Sequence, residues 1–224
     1  MQYHIQTDPI WEAFKSGCDC PLCEIYAASE ARLVGQYLDE AVMAPEFRVE
    51  VNKYGFCREH IRKLFAGKNK LGLALQLHTR MLSVRSVISP CKSYKQAVKQ
   101  ADELEKTADT CVICRTVDEM MLRYARTIAQ MFTNEEEFRN VFSKSNGFCI
   151  PHYILLLRES NKAGGLTQKY LTELTYLQNR SLDRTANALE RFTNMFDYRN
   201  AGSAVKPDPE TVPAAIKKLK GRVL

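Results

Sequence analysis

No apolar run in the 224-residue chain approaches the roughly 20 residues of a membrane-spanning helix, so a helical membrane protein is excluded. The chain has no Gly-rich phosphate loop, no Gly-x-Ser-x-Gly and no His-Glu-x-x-His, so it lacks the local signatures of nucleotide-phosphate, serine-hydrolase and zinc-protease chemistry. No segment alternates apolar and polar residues between hairpin turns, which removes the sequence signal for a β-sheet. The opening MQYHIQTDPIWEAF has neither the basic region nor the apolar block of an export signal. A cytoplasmic location follows as the expectation, and in a reducing compartment the eight cysteines read as metal ligands or redox thiols rather than disulfides.

What the chain does have is a cysteine–histidine pattern written twice. Cys20-x-x-Cys23 and Cys57-x-x-His60 align with Cys111-x-x-Cys114 and Cys149-x-x-His152 at offsets of 91, 91, 92 and 92. The pairs are separated by 33 residues in the first copy and 34 in the second, and GFC precedes both Cys-x-x-His ends. PEFR at 45–48 lies over EEFR at 136–139 in the same register, so one inserted residue between Arg139 and Gly147 accounts for the shift. A supersecondary unit used twice is the physical meaning of such a period.

Helical spacing dominates the remainder. Pro9 and Pro21 sit where helices begin, Gly17, Gly55 and Gly67 where they end, and Pro90 breaks a helix expected over about 71–88. Thr133 with Glu136 reads as a capping box. A long helix is expected from Leu166 to Phe196, with Tyr170, Leu174 and Leu177 among its apolar face. After Tyr198 the texture changes to a Pro-containing linker and a short basic end, which is expected to be dispensable for folding.

Two Cys3His sets suit zinc, which takes soft sulfur and nitrogen donors in a closed tetrahedron. An iron–sulfur cluster usually takes four thiolates, and covalent haem needs a histidine directly after the Cys pair, where this chain has Glu24 and Arg115. All four pairs fall at expected helix starts, where unpaired N–H groups and the positive dipole end favour thiolates. Grouped by copy, the expected metal ligands are Cys20, Cys23, Cys57 and His60 in one site and Cys111, Cys114, Cys149 and His152 in the other, with two zinc ions per chain. Four donors leave no position for water, so no catalytic residue is assigned. Cys18 and Cys91 have no counterparts in the other copy, His78 reads as an ordinary helix residue, and Trp11 as the core anchor of the first helix.

The net charge of +6 is unevenly placed. Residues 53–99 carry eleven lysines and arginines against one acid, Glu59, whereas residues 100–140 carry nine acids against five bases. Arg58, Arg62, Lys63, Lys68 and Lys70 are therefore the candidates for binding nucleic acid or another polyanion.

The motifs CPLC, GFCREH, CVIC and GFCIPH, with FDYRNAG at 196–202 before a basic end, resemble an uncharacterised bacterial family of cysteine-rich proteins of about this size, a domain of unknown function. The resemblance covers nearly the whole chain and implies a helical, metal-binding protein without bringing an activity. The expectation is an all-α fold of two tandem helical repeats, 1–91 and 92–200, each with its own Cys3His site joining helix N-termini, followed by a linker and basic tail at 201–224. The expected function is non-enzymatic, through protein partners. Nucleic-acid binding through the basic segment is the alternative, and a thiol-based redox factor or enzyme a second one.

Overall fold

The computed structural model describes residues 7–39, 42, 44–108, 110–196 and 208–221. Among these there is no strand; α-helices account for most of the regular structure, with a 3₁₀ turn at Ser160–Leu166. In chain order the helices are α1 (Asp8–Lys15), α2 (Pro21–Leu38), α3 (Pro45–Tyr54), α4 (Arg58–Ala66), α5 (Lys70–Val87), α6 (Tyr94–Ala108), α7 (Val112–Asn134), α8 (Glu136–Lys144), α9 (Ile150–Arg158), α10 (Thr167–Asn194) and α11 (Thr211–Lys220). None of them is long and apolar enough to cross a membrane. FDYRN, apart from Phe196, lies outside the described residues, as does His4.

Two compact units form, and they draw on both halves of the chain. One comprises residues 1–27 and 120–224, the other residues 28–119. Compactness therefore does not follow the expected boundary near residue 91. The chain passes from one unit to the other within α2 and again within α7.

The first unit is built on aromatic packing. Phe132, Phe138, Phe142, Phe148 and Tyr170 are fully buried. Phe14 from α1 meets Phe138 edge-on at 5.2 Å and stacks on Phe142 at 5.8 Å, which seats α1 on α8. Such edge-on and offset pairs add about 0.5–1.5 kcal/mol each beyond the area they bury. Trp11 is half-buried, edge-on to Phe138 at 5.4 Å, with the Lys15 ammonium over its ring. The second unit has a thinner core. Tyr37 is edge-on to Phe47 and Phe56, and Leu33, Leu64, Leu73 and Ile113 are also buried in this unit. Arg80 of α5 donates to Asn52 O and, at 2.9 Å, to Thr107 O, satisfying carbonyls at the C-terminal ends of α3 and α6 together.

One local expectation is corrected. Thr133 does not cap α8: it lies inside α7 and donates to Ala129 O and Ala163 O, while Glu135 occupies the N-cap without a side-chain bond. Helix α7 simply runs on through Thr133, because its buried Ile128, Ala129, Met131 and Phe132 hold that last turn. The basic end forms a helix that docks on the body. Helix α11 packs on α9 and α10, and Ala215 and Lys218 are buried there.

Candidate metal centres

The repeated Gly-Phe-Cys is a compact positioning device. Gly55 and Gly147 both have positive φ, 63° and 88°, a conformation open to glycine at little cost. A β-carbon at Gly147 would come within 2.6 Å of Ser181 Cβ, and one at Gly55 within 3.0 Å of Arg80 Nε, so close approach adds to the backbone demand. The following Phe56 or Phe148 is driven into the core of its unit, which fixes the turn. Cys57 and Cys149 then stand at the N-caps of α4 and α9, and the histidines fall in the first turns. On the other side, Cys20 and Cys111 directly precede α2 and α7, with Cys23 and Cys114 in their first turns.

The eight residues come together as two quartets, but not those of one copy each. Cys20 and Cys23 meet Cys149 and His152; Cys57 and His60 meet Cys111 and Cys114. The expected copy-internal grouping is corrected, and helix length gives the reason. Rising about 1.5 Å per residue, α2 carries the chain about 27 Å away, while α3 can return only about 15 Å. Cys57 does not come back to the start of its own α2 and is completed by the next Cys-x-x-Cys. In the second copy α7 is longer still and α8 shorter than α3. Each quartet lies within one compact unit.

The geometry matches a four-coordinate metal. Bonds of about 2.3 Å to sulfur and 2.0–2.1 Å to nitrogen make tetrahedron edges of about 3.8 Å between sulfurs and about 3.6 Å between sulfur and nitrogen. In the first unit Cys149 Sγ lies 3.8 Å from Cys20 Sγ and 3.6 Å from Cys23 Sγ, and His152 Nδ1 lies 3.2–3.4 Å from all three sulfurs. In the second unit Cys57 Sγ is 3.7 Å from Cys114 Sγ, and His60 Nδ1 is 3.2–3.3 Å from Cys57, Cys111 and Cys114. The donors are shielded: Cys20, Cys111, Cys149 and His60 are buried.

Electrostatics make the same demand. Hydrogen bonds from the Cys20 and Cys23 thiols pull Cys149 down to about 3, while the bond to Cys149 pushes Cys23 up. Burial, then the Cys111 charge, raises Cys114. Three sulfurs packed this closely cannot all be thiolates without a cation among them. Burial lowers His60 and so favours the neutral ring a metal requires.

The outer shells differ. His60 Nε2 lies 3.1 Å from Glu30 Oε1, and Lys63 Nζ donates to the same oxygen at 2.7 Å. A carboxylate in that place fixes the histidine tautomer and raises its basicity. Position 121, one period after Glu30, holds buried Met121 instead. Backbone also staples the second centre, with Val112 N donating to Gly55 O at 3.0 Å. The matching position in the first copy is Pro21, which has no N–H. There Asn146 Nδ2 donates to Gly17 O at 2.7 Å, and the site borders a cavity of about 230 Å³ that reaches α11. That contribution of the tail escaped the sequence reading, because nothing in KKLK distinguishes the buried lysine from the exposed ones.

The remaining candidates lie apart. Cys18 donates to Ala13 O at 3.5 Å and burial raises its pKa; Cys91 and His78 are exposed. None joins either quartet, and all eight cysteines are free of disulfides. Of the polyanion candidates, Arg58, Arg62 and Lys63 stand on α4, Lys68 in the following loop and Lys70 at the start of α5. Arg62 is paired with Glu59 at 2.8 Å, Lys63 with Glu30, and the Lys70 ammonium sits over the Phe65 ring.

Comparison with known proteins finds one family, described as a family of unknown function, DUF6062, matching residues 1–224. No curated protein and no solved structure matches.

Proposed function

The chain belongs to the DUF6062 family of unknown function, and since that family supplies no activity we propose, from the two centres themselves, a non-enzymatic zinc protein that acts through protein partners. The observation that carries the reading is the pair of crossed quartets, each with three sulfurs and one imidazole nitrogen at tetrahedral spacing. Zinc suits this donor set best, and four protein ligands leave no open position at which water or substrate could be activated. Each metal would tie the start of a long helix to the start of a short one and contribute its binding energy to folding. The eight free cysteines suit a reducing cytoplasm.

Partner binding draws its support from the second unit. Leu71, Met81, Leu82, Ile88 and Tyr94 are more than half exposed, and α6 is amphipathic with no buried residue. Exposed apolar residues on α5 and an amphipathic α6 with no buried residue are candidates for contact with a partner. The polyanion reading is weaker, since Arg62 and Lys63 already spend their charge on Glu59 and Glu30.

Elemental analysis of protein purified without added metal tests the proposal. Two equivalents of zinc per chain are expected. Iron, or a metal-free folded protein from an anaerobic preparation, would overturn it.

A further inference from the structure

Lysine 218 is the residue that the metal reading leaves unexplained. It sits near the C-terminus of a basic helix, yet it is only 5% exposed, while its neighbours Lys217 and Lys220 face solvent. Its ammonium donates to the backbone carbonyl of Asp19 at 2.9 Å, one residue before the ligand Cys20. Three residues on, Gly221 has φ of 78°, and a β-carbon there would lie 3.7 Å from Cys149 Sγ. The cavity beside the centre has Cys23, Cys149 and Glu24 on one side and Ala214, Lys217 and Lys218 of α11 on the other. Helix α11 thus lines the approach to the thiols.

A buried ammonium is costly unless an opposite charge accompanies it. The centre itself is an anionic candidate, since Lys218 lines the same cavity as Cys20, Cys23 and Cys149. A divalent ion held by three thiolates and a neutral imidazole carries a net charge of −1, and Lys218 stands within the electrostatic reach of Cys20 and Cys149. Asp19 is mostly exposed, and its carboxylate is engaged by Arg184 at 3.7 Å.

We infer that Lys218 is the counter-ion of the Cys20–Cys23–Cys149–His152 centre and that metal in this centre and docking of α11 stabilise each other. The inference rests on the metal reading of the quartet. Coupling of this kind is reciprocal: whatever the loaded centre adds to tail docking, the docked tail adds to metal retention. The tail is then a metal-dependent element that stays closed over one of the two centres, with the Cys57–His60–Cys111–Cys114 centre as an internal control.

Two measurements test it on the full chain. The first follows zinc release to a chromogenic chelator. In Lys218→Met one of the two equivalents should leave about tenfold faster than in wild type, within the ordinary range of coupling, while Lys218→Arg and the exposed control Lys220→Met behave as wild type. Equal release from Lys218→Met and Lys220→Met would overturn the inference, as would an arginine variant as fast as the methionine one. The second needs no change in α11. Cys23→Ser and Cys114→Ser each disable one centre, and limited proteolysis reads the tail. Cleavage within 208–221 should appear in Cys23→Ser and not in Cys114→Ser; the same cleavage in both would overturn it. A wild-type chain that takes up no metal would sink the metal reading and this inference together, whereas two equivalents with unaltered release kinetics would sink the inference alone.

Discussion

His60 Nδ1 lies 3.3 Å from Cys114 Sγ, although the two residues are 54 positions apart and belong to different copies of the repeated motif. Crossed pairing of this kind makes a prediction about stoichiometry that copy-internal pairing reverses. Under mild chelator challenge, Cys57→Ser and Cys114→Ser should each hold one metal, and so should their double variant, because both changes strike one centre. The Cys20→Ser, Cys57→Ser double variant should hold none, since it strikes both. Retention of one metal by that last variant would refute the pairing seen here.

Glu30 should matter to one centre only. It accepts from Lys63, faces His60 Nε2, and has a side chain only 15% exposed. Loss of a carboxylate behind a ligating histidine typically weakens metal binding by about 10–100-fold. Glu30→Gln should therefore weaken one of two equivalents in a chelator competition by that factor. Met121→Ala at the matching position should lose packing and leave both affinities unchanged. A uniform loss of both metals in Glu30→Gln would show that it acts on folding at large.

The eight clustered cysteine and histidine positions were legible in the sequence because two copies in register are hard to produce otherwise, and because Gly, Phe and Cys each have a separate task in the turn before α4 and α9. The partition of those ligands was not read correctly. Spacing is the same for both partitions, and the lengths of α2 and α3 favour the crossed one. Those lengths were available, since a helix from Pro21 to Leu38 outruns one from Pro45 to Tyr54 on any reading. The false capping box at Thr133 arose because a local hydroxyl–glutamate pattern competes with tertiary burial, and Ile128 and Phe132 carried α7 through it. Helix α6 was missed although Tyr94, Val98, Ala101 and Leu104 have helical spacing. Lys218 was beyond reach: which lysine of KKLK is buried depends on where α9 and α10 lie.

Glycine 147 should be the least replaceable glycine of the fold. At φ 88° any side chain is strained by about 1–2 kcal/mol, and here a β-carbon would also collide with Ser181 Cβ at 2.6 Å. Gly17 has a similar φ of 71° but open space around it. In thermal unfolding Gly147→Ala should cost clearly more than Gly17→Ala, and the latter should stay near the strain value alone. Equal losses would mean that α10 yields to the added methyl.

Metal should matter more to the unit of residues 28–119 than to the other. That unit has Tyr37 and Phe56 as its buried aromatics, and α6 adds nothing to its core. The unit of residues 1–27 and 120–224 instead has Phe14, Phe132, Phe138, Phe142, Phe148 and Tyr170 in one contiguous cluster. Large apolar side chains contribute about 1.5–3 kcal/mol each when fully buried, so the aromatic-rich unit keeps a core when its ion is gone. In the thinner unit a bound metal would hold the starts of α4 and α7 together, and metal-coupled folding is strongest where the apolar core is smallest. Hydrogen exchange should therefore rise across most of 44–108 in Cys114→Ser, whereas in Cys23→Ser the fast exchange should be confined to the neighbourhood of Cys20, Cys149 and α11, with α7 and α10 still protected around Phe132 and Tyr170. Exchange that opens the aromatic cluster first would show that the metal, and not the phenylalanines, holds the larger unit together.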